Sequence, residues 1–348
     1  MTPPLLALEE VSRSFAQRRG HGLVQAVAGV SLQVARGETV GLVGETGCGK
    51  STLARLALRL LDVSFGRIRF DGADITRAGP RELLPVRRRM QAVFQDPLAS
   101  LNPRMTIAAI LAEPFVTHRI APPEGIPARI DALLRFVGLD HIDTRRRPAQ
   151  FSGGQLQRIG IARALALEPD LIVADEPTSA LDPSIQAQII NLLLRVQRER
   201  HVAYLLISHD LEVVGHLADR VAVMYLGVIV ESAPTARLLH TPLHPYTQAL
   251  LSAAPTLAAR RDRAWHRIVL TGDLPNPADA PAGCRFHPRC ALARDICRTT
   301  APALQAVAAG GHAVACHLAP DETAAQGVAI GAARRGTREP NPSNGDGL

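Results

Sequence analysis

One short segment constrains the fold of this chain more than any other. Residues 44–51 read Gly-Glu-Thr-Gly-Cys-Gly-Lys-Ser, which fits the G-x-x-x-x-G-K-[ST] phosphate-binding loop without a mismatch. The segment 38–43 before it reads as a short strand, and residues 52–58 after it have helical spacing. A glycine-rich turn that binds nothing is the alternative for the loop alone. The strand-to-helix context favours an α/β fold in which backbone amides and a helix N-terminus surround a phosphate.

The basic residues single out one position in this loop. Of 39 lysines and arginines, Lys50 is the only lysine. An ammonium is a compact point charge, whereas a guanidinium is a larger planar fork, so a guanidinium is not expected to serve there. Lys50 is predicted to reach the β- and γ-phosphates of ATP, and Ser51 to bind Mg²⁺ through its hydroxyl. The other predicted ATP-binding residues of the loop region are Gly44, Glu45, Thr46, Gly47, Cys48, Gly49 and Thr52.

A second apolar run ends in two acids. Residues 171–174 are consistent with a buried parallel strand, and Asp175 and Glu176 follow directly. Ligands bind at the C-terminal ends of strands in doubly wound sheets. Asp175 is therefore predicted to hold Mg²⁺ and Glu176 to orient or deprotonate the attacking water. Without the phosphate loop, a solvated pair of loop acids would be the better interpretation.

Residues 151–158, Phe-Ser-Gly-Gly-Gln-Leu-Gln-Arg, resemble the signature motif of the ATP-binding cassette (ABC) ATPases. The family's other motifs occur in order: Gln95 within 93–97, a Ser-Ala-Leu-Asp sequence ending at Asp182, and His209 after the apolar run 204–208. Phe15 precedes the loop where the family places an aromatic residue that stacks on adenine. The resemblance implies an α/β fold of the P-loop NTPase class, an ABC-type nucleotide-binding domain with a helical subdomain.

The resemblance also implies a role for each motif. Glu176, His209 and Gln95 are the expected catalytic residues, with Gln95 contacting Mg²⁺ and the attacking water and His209 binding the γ-phosphate. Asp182 is expected to connect the phosphate-loop site with the site formed by the signature motif. Residues Ser152, Gly153, Gly154 and Gln155 are expected to form a second anion site at a helix start. In this family that site closes over the ATP of a partner, so a dimer with an identical or sibling ATPase subunit is expected.

The chain is expected to divide into three parts. Residues 1–235 form the ABC ATPase domain, with the helical subdomain at about 97–154 and a closing hairpin at 221–231. Residues 236–318 contain segments, at 240–251 and 270–277, that resemble the C-terminal extension of the oligopeptide and dipeptide importer ATPases. Residues 319–348 are rich in Gly, Ala, Arg and Pro without periodicity, and are expected to be a disordered tail.

The extension contains four of the five cysteines: Cys284, Cys290, Cys297 and Cys316. Four thiolates can hold zinc or an iron–sulfur cluster, although the spacing lacks the C-x-x-C knuckle usual for zinc. Unligated buried thiols are the third alternative. The resemblance to the importer extension favours a [4Fe-4S] cluster. Arg285, His287 and Arg289 between the thiols would then offset its negative charge.

The composition limits the classes of partner that the chain is expected to bind. The formal charge is +7, but 8 Phe, 3 Tyr and 1 Trp leave few platforms on which bases could stack, so no nucleic acid partner is expected. No apolar run approaches the roughly 20 residues that span a bilayer. No secretory signal is visible at the N-terminus, so the cytoplasm is the default compartment. The resemblance implies a peripheral subunit at the cytoplasmic face of the membrane. The resemblance implies two transmembrane permease subunits and, indirectly, an extracytoplasmic solute-binding protein.

The resemblance predicts an ATPase that drives import of peptides, with nickel or glutathione as alternative solutes. A rival function is a soluble ABC ATPase acting on DNA or ribosomes. Such proteins carry inserted coiled coils or zinc modules, or two cassettes per chain, and this sequence has neither. A non-hydrolysing structural subunit would be expected to lack Glu176 or His209, and both are present.

Overall fold

The computed structural model of the chain describes residues 3–16, 22–179, 181–254, 268–308 and 310–319. The strands within these residues are β1 Leu6–Ala16, β2 Leu23–Val34, β3 Thr39–Val43, β4 Phe65–Phe70, β5 Ala73–Asp74, β6 Met90–Val93, β7 Leu171–Asp175, β8 Ala203–Ile207, β9 Arg220–Tyr225, β10 Val228–Pro234, β11 Gln305–Ala308 and β12 His312–Val314. The helices are α1 Lys50–Ala57, α2 Pro80–Arg89, α3 Pro97–Ser100, α4 Ile107–His118, α5 Ile126–Phe136, α6 Gly153–Leu165, α7 Pro183–Arg200, α8 Leu211–Leu217, α9 Thr235–His240, α10 Pro245–Ala253 and α11 Asp295–Thr299.

The larger sheet positions the predicted site. Its eight strands run in the order β11-β12-β10-β9-β3-β8-β7-β6, and the pairs from β9 to β6 are parallel. Strands β3 and β8 are buried along their whole length, as expected for parallel strands covered on both faces. The turns that follow β3, β7 and β8 therefore meet at one edge of the sheet, and they carry the phosphate loop, Glu176 and His209.

The smaller sheet is antiparallel, in the order β2-β1-β4-β5. Leu53 and Leu56 of α1 belong to one apolar cluster with Leu6 from this sheet and Val40 and Leu205 from the larger one. Helix α1 is thus packed between two sheets. This packing fixes the helix whose first turn contains Lys50.

The segment between Gln95 and the signature motif is largely helical, as its apolar spacing predicts. Thr106 begins α4 by accepting a 3.2 Å hydrogen bond from the backbone N–H of Ala109. Buried side chains of α4, α5 and α6, including Phe115, Leu133 and Ile159, share a second apolar cluster. The three helices pack together and leave the N-terminus of α6 at the surface.

The C-terminal extension joins the larger sheet. Strand β12 pairs with β10, so that Glu231 lies opposite Val314. The Glu231 carboxylate is fully buried and accepts hydrogen bonds from the backbone N–H of Leu243 at 2.7 Å and of His244 at 3.0 Å. His312 Nε2 lies 2.7 Å from the same carboxylate. One buried acid therefore joins β10, the start of α10 and β12.

The hairpin expected at 221–231 is present as β9 and β10. Apart from Ala319, the predicted tail at 319–348 lies outside the described residues. Within the described ranges, no helix is both long and apolar enough to cross a bilayer.

Candidate nucleotide site

The phosphate loop connects β3 to α1, as the sequence predicts. Gly49 has a φ of 111°, in the region that favours glycine, and a Cβ there would collide with the carbonyl oxygen of Ala26. Gly44 approaches the carbonyl of Met224 equally closely. These glycines let the loop lie against β2 and β9.

The Lys50 ammonium is held inside the loop. Its Nζ donates to the carbonyl oxygens of Gly44 at 2.7 Å and Glu45 at 2.9 Å, and the residue is only 5% exposed. A positive charge beside several backbone amides attracts phosphate oxygens strongly. The single lysine of the chain thus lies where the sequence predicts a phosphate contact.

Ser51 and Asp175 come together from separate elements. The Ser51 hydroxyl donates to Asp175 Oδ1 at 3.2 Å. Burial raises the pKa of Asp175, and the hydrogen bond from Ser51 opposes that rise. Hydroxyl and carboxylate oxygens suit Mg²⁺, which in nucleotide sites takes one or two protein ligands and completes its shell with phosphates and water. The residues present therefore fit the predicted ion.

Glu176 lies between Gln95 and His209. Gln95 Nε2 donates to one carboxylate oxygen at 2.9 Å, and His209 Nδ1 lies 3.2 Å from the other. Glu176 has a φ of 47°, which is uncommon for a residue with a side chain, and its side chain is 13% exposed. Gln95 and His209, two of the predicted catalytic residues, thus both contact the third, Glu176.

Most of these groups border one cavity of about 550 Å³, although Asp175 is not among its described lining residues. Its predicted lining residues are Thr46, Gly47, Gly49, Lys50, Ser51, Thr52, Gln95, Glu176 and His209. Further lining residues, for which no site role was predicted, are Val24, Gln25, Ala26, Ser179, Leu226, Gly227 and Pro277. They come from β2, the turns after β7 and β9, and the extension. Ser179, Leu226, Gly227 and Pro277 lie in segments that the sequence already singles out, whereas no motif marks Val24, Gln25 and Ala26.

The residues of the signature motif, 152–155, are not among the described residues that line this cavity. Ser152 begins α6, accepts from the N–H of Gln155 at 3.3 Å and donates its own N–H to the Gln155 side chain at 3.0 Å. Ser152 and Gly153 are exposed, and the described wall of the cavity contains none of residues 152–155. Asp182, at the start of α7, is exposed too.

Phe15 is half-buried and does not border the cavity. The Arg13 guanidinium lies over its ring, 4.8 Å from the centroid. Its cross-strand neighbour Val24 does line the cavity. The predicted adenine contact of Phe15 stays a prediction.

The expected iron–sulfur cluster is not supported. Within the described residues, which include Cys284, Cys290, Cys297 and Cys316, no group of three or more Cys, His, Asp or Glu side chains is arranged to hold a metal ion. Burial raises the pKa of Cys284, Cys290 and Cys316, that of Cys290 to about 11, which favours neutral thiols. The residues do not fit the group, and we assign it no role.

The arginines between these cysteines contact the nucleotide site instead of offsetting a cluster's charge. Arg289 NH1 donates to the Glu45 carboxylate at 2.8 Å. Arg285 donates to the carbonyl oxygen of Leu226 and, at 2.9 Å, to the Gln25 side chain. No sequence signal pairs these positions, because more than 200 residues separate Glu45 from Arg289.

Comparison with known proteins supports the resemblance. The ABC transporter family profile matches residues 27–179, and the profile of the oligopeptide/dipeptide transporter C-terminal region matches 230–297. The chain is 50% identical over 320 residues to the oligopeptide transport ATP-binding protein AppF of Bacillus subtilis (strain 168), covering 90% of this chain and 97% of the relative. It is 48% identical over 330 residues to a probable peptide ABC transporter ATP-binding protein of Sinorhizobium fredii, covering 93% of each.

Solved structures agree on the fold. A post-hydrolysis state of the ATP-binding cassette MJ0796 bound to ADP and Pi superposes with a TM-score of 0.61 at 28% identity. The match covers 66% of this chain and 98% of that one. The structure of cbiO1 from Clostridium perfringens superposes with a TM-score of 0.59 at 28% identity, covering 68% of this chain and 90% of that one.

Proposed function

The chain belongs to the ABC transporter ATP-binding family, in the group with the oligopeptide/dipeptide transporter C-terminal region, and we propose that it hydrolyses ATP to drive import of peptides. The observation that carries this proposal is the convergence of Lys50, Ser51 and the Glu176–Gln95–His209 group on one cavity, with Asp175 hydrogen-bonded to Ser51. Peptide is the proposed solute because relatives that align over nine-tenths of this chain are named for oligopeptide or peptide transport.

The cavity suits a nucleoside triphosphate. Phosphoryl transfer depends on positioning and on stabilising negative charge, with little covalent chemistry for the protein. Lys50 and the loop amides would hold the β- and γ-phosphates, and the Ser51 hydroxyl and Asp175 carboxylate would hold Mg²⁺. That ion supplies neutralisation of charge on the phosphate oxygens when bound.

The attacking water would lie at Glu176. A carboxylate oxygen can accept its proton or align it with the γ-phosphate. Gln95 and His209 hold the two oxygens of that carboxylate through their own contacts, so Glu176 is fixed in orientation before ATP enters. His209 is also proposed to donate to the γ-phosphate.

The exposed start of α6 is proposed to complete the site of another protomer. The N–H groups of its first turn and the Ser152 hydroxyl would form an anion site, and none of residues 152–155 borders the described wall of the cavity in its own chain. ABC cassettes dimerise, and we propose that Ser152, Gly153, Gly154 and Gln155 cover the ATP of an identical or sibling subunit, with Asp182 near the junction. Phe15 is proposed to contact adenine.

The remaining partners follow from the family. Cassettes of peptide importers work with membrane permeases, and two such subunits are proposed to dock on the helical subdomain, residues 97–154, at the cytoplasmic face. A solute-binding protein outside the membrane is proposed to deliver the peptide. Residues 1–235 form the proposed ATPase domain and 236–318 the extension.

The test is reconstitution of this chain with its permeases and binding protein in lipid vesicles. Addition of ATP is expected to drive uptake of a labelled oligopeptide, and Glu176→Gln is expected to abolish it. Uptake of nickel or glutathione with no peptide uptake would overturn the proposed solute while retaining the ATPase. ATP turnover stimulated by DNA or ribosomes, with no permease dependence, would overturn the transport role.

A further inference from the structure

Glu45 connects the phosphate loop to the C-terminal extension. Its backbone N–H donates to the Tyr246 hydroxyl at 2.8 Å, and its carboxylate accepts from Arg289 at 2.8 Å. Its carbonyl oxygen accepts from Lys50 Nζ at 2.9 Å. The residue that holds the lysine ammonium on one side is therefore held by the extension on the other.

Both extension residues are rigidly placed. The Arg289 side chain is 9% exposed, and a charge-assisted bond of this kind is strong when partly buried. The Tyr246 ring is fully buried and packs edge-on against Tyr225, with centroids 4.7 Å apart, and 5.5 Å from Phe286. Groups held this way can fix the atoms they bind.

The extension also contacts other parts of the loop region. Leu274 lies 3.8 Å from the position that a Cβ on Gly47 would occupy, and Pro277 forms part of the cavity wall. Arg285 holds the turn at Leu226, and the next residue, Gly227, donates its N–H to the carbonyl of Cys48 at 2.8 Å. The loop is thus supported by the extension at several of its residues.

We propose that Arg289 and Tyr246 are positioning residues for ATP hydrolysis: through Glu45 they fix the loop carbonyls that hold Lys50. The extension then has a role inside the nucleotide site of its own chain. Neither residue touches the reacting atoms. This inference rests on the proposed ATPase activity.

The most discriminating variant is Tyr246→Phe, which keeps the ring and removes the acceptor for the Glu45 N–H. Its matched control is Tyr204→Phe, which removes a buried hydroxyl whose hydrogen bond goes to the carbonyl oxygen of Leu193 at 3.4 Å rather than to the phosphate loop or the extension. Steady-state kinetics of MgATP hydrolysis by the full chain with its permeases give kcat and KM. We expect kcat/KM to fall by about tenfold to a hundredfold in Tyr246→Phe, as for displacement of a catalytic group. The control should stay within twofold of wild type, roughly the spread of neutral changes.

The ion pair gives an independent test. Arg289→Met is expected to lower kcat/KM, Arg289→Lys to restore part of the loss, and Arg298→Met, at an exposed arginine of the extension, to change nothing. In a Glu45→Gln background, Arg289→Met should add little, because both residues act through one contact.

Thermal unfolding separates positioning from folding. Variants with a lower Tm but wild-type kcat and KM, or additive effects of Glu45→Gln and Arg289→Met, would overturn the inference. A wild-type protein that does not hydrolyse ATP would instead overturn the proposed function. If Arg289→Met does not fold, the kinetics of Tyr246→Phe test the proposed positioning role.

Discussion

Gln95 donates a hydrogen bond of 2.9 Å from its side-chain amide to a carboxylate oxygen of Glu176. This contact joins the end of β6, where the helical subdomain begins, to the end of β7. A movement of the helical subdomain would therefore change the orientation of the proposed base. The permease partners are proposed to dock on the same subdomain, and this bond would then connect their movement to hydrolysis.

Replacing the proposed base should stop hydrolysis without preventing ATP binding. Glu176→Gln keeps the size of the side chain and removes its basicity, so kcat is expected to fall by about 10²- to 10⁴-fold. Binding of a fluorescent ATP analogue should stay near wild type because Lys50 is unchanged. The measurement is phosphate release by the purified subunits. Wild-type turnover would show that Glu176 is not the base.

The signature residues should matter for the dimer rather than for nucleotide binding to one chain. Ser152→Ala is expected to weaken ATP-dependent dimerisation and hydrolysis, measured by size-exclusion chromatography with ATP and by phosphate release. Loss of the helix cap also costs about 1 kcal/mol. Thr106→Ala removes a comparable cap from α4 and serves as the control. If both variants lose activity equally, the loss reflects helix stability and contradicts a role for Ser152 at ATP.

The free energy of unfolding should fall in weakly acidic solution because His244 is buried in its neutral form. Burial lowers the pKa of His244 from its ordinary value of 6.5 to about 4. The unfolded chain therefore binds a proton first as pH falls, so stability is fully present above pH 6.5 and declines as the pH approaches 4. The loss over this window is up to about 3 kcal/mol.

The check is urea unfolding of wild type and His244→Asn at neutral and at mildly acidic pH. Asparagine retains a side-chain acceptor for the Tyr246 N–H, which His244 Nδ1 binds at 3.0 Å. The variant should lose much of the acid sensitivity. Equal acid sensitivity in both proteins would mean that another group causes it.

The extension thiols should react slowly at neutral pH. With the Cys290 pKa raised to about 11 by burial, almost none of it is thiolate at pH 7, and alkylation should accelerate as the pH rises toward that value. Mass spectrometry after timed iodoacetamide treatment measures the rates, and urea-unfolded protein is the control. Fast alkylation of the thiols in the native protein at neutral pH would contradict their raised pKa. Visible charge-transfer absorption after anaerobic purification would restore the cluster prediction.

Local sequence patterns predicted much of the fold around the nucleotide site. The loop, its flanking strand and helix, the acidic strand end, and the helix opened by Ser152 all depend on residues close in sequence, and each lies where the spacing predicts. Gln95, Glu176 and His209 were placed together by the resemblance, because nothing in their spacing alone indicates contact.

Long-range contacts of the extension were not predictable in this way. The sequence places Arg289 among the cysteines, so it was predicted to offset the charge of a cluster. In the structure its partner is Glu45, in the phosphate loop. Likewise Glu231 ends a hairpin in sequence, yet its burial depends on His312 and the start of α10. The energetic reason for each position is a tertiary contact that periodicity does not encode.

Lys50 is the residue on which the proposed ATPase activity depends most directly, and its ammonium is held by the carbonyls of Gly44 and Glu45. The decisive measurement is equilibrium binding of MgATP to wild type, Lys50→Ala and Lys50→Arg, alongside their turnover. Both variants are expected to bind weakly and hydrolyse little, because alanine lacks the charge and a planar guanidinium does not match the compact ammonium between those two carbonyls. Unchanged affinity and turnover in Lys50→Ala would contradict the proposed role of Lys50.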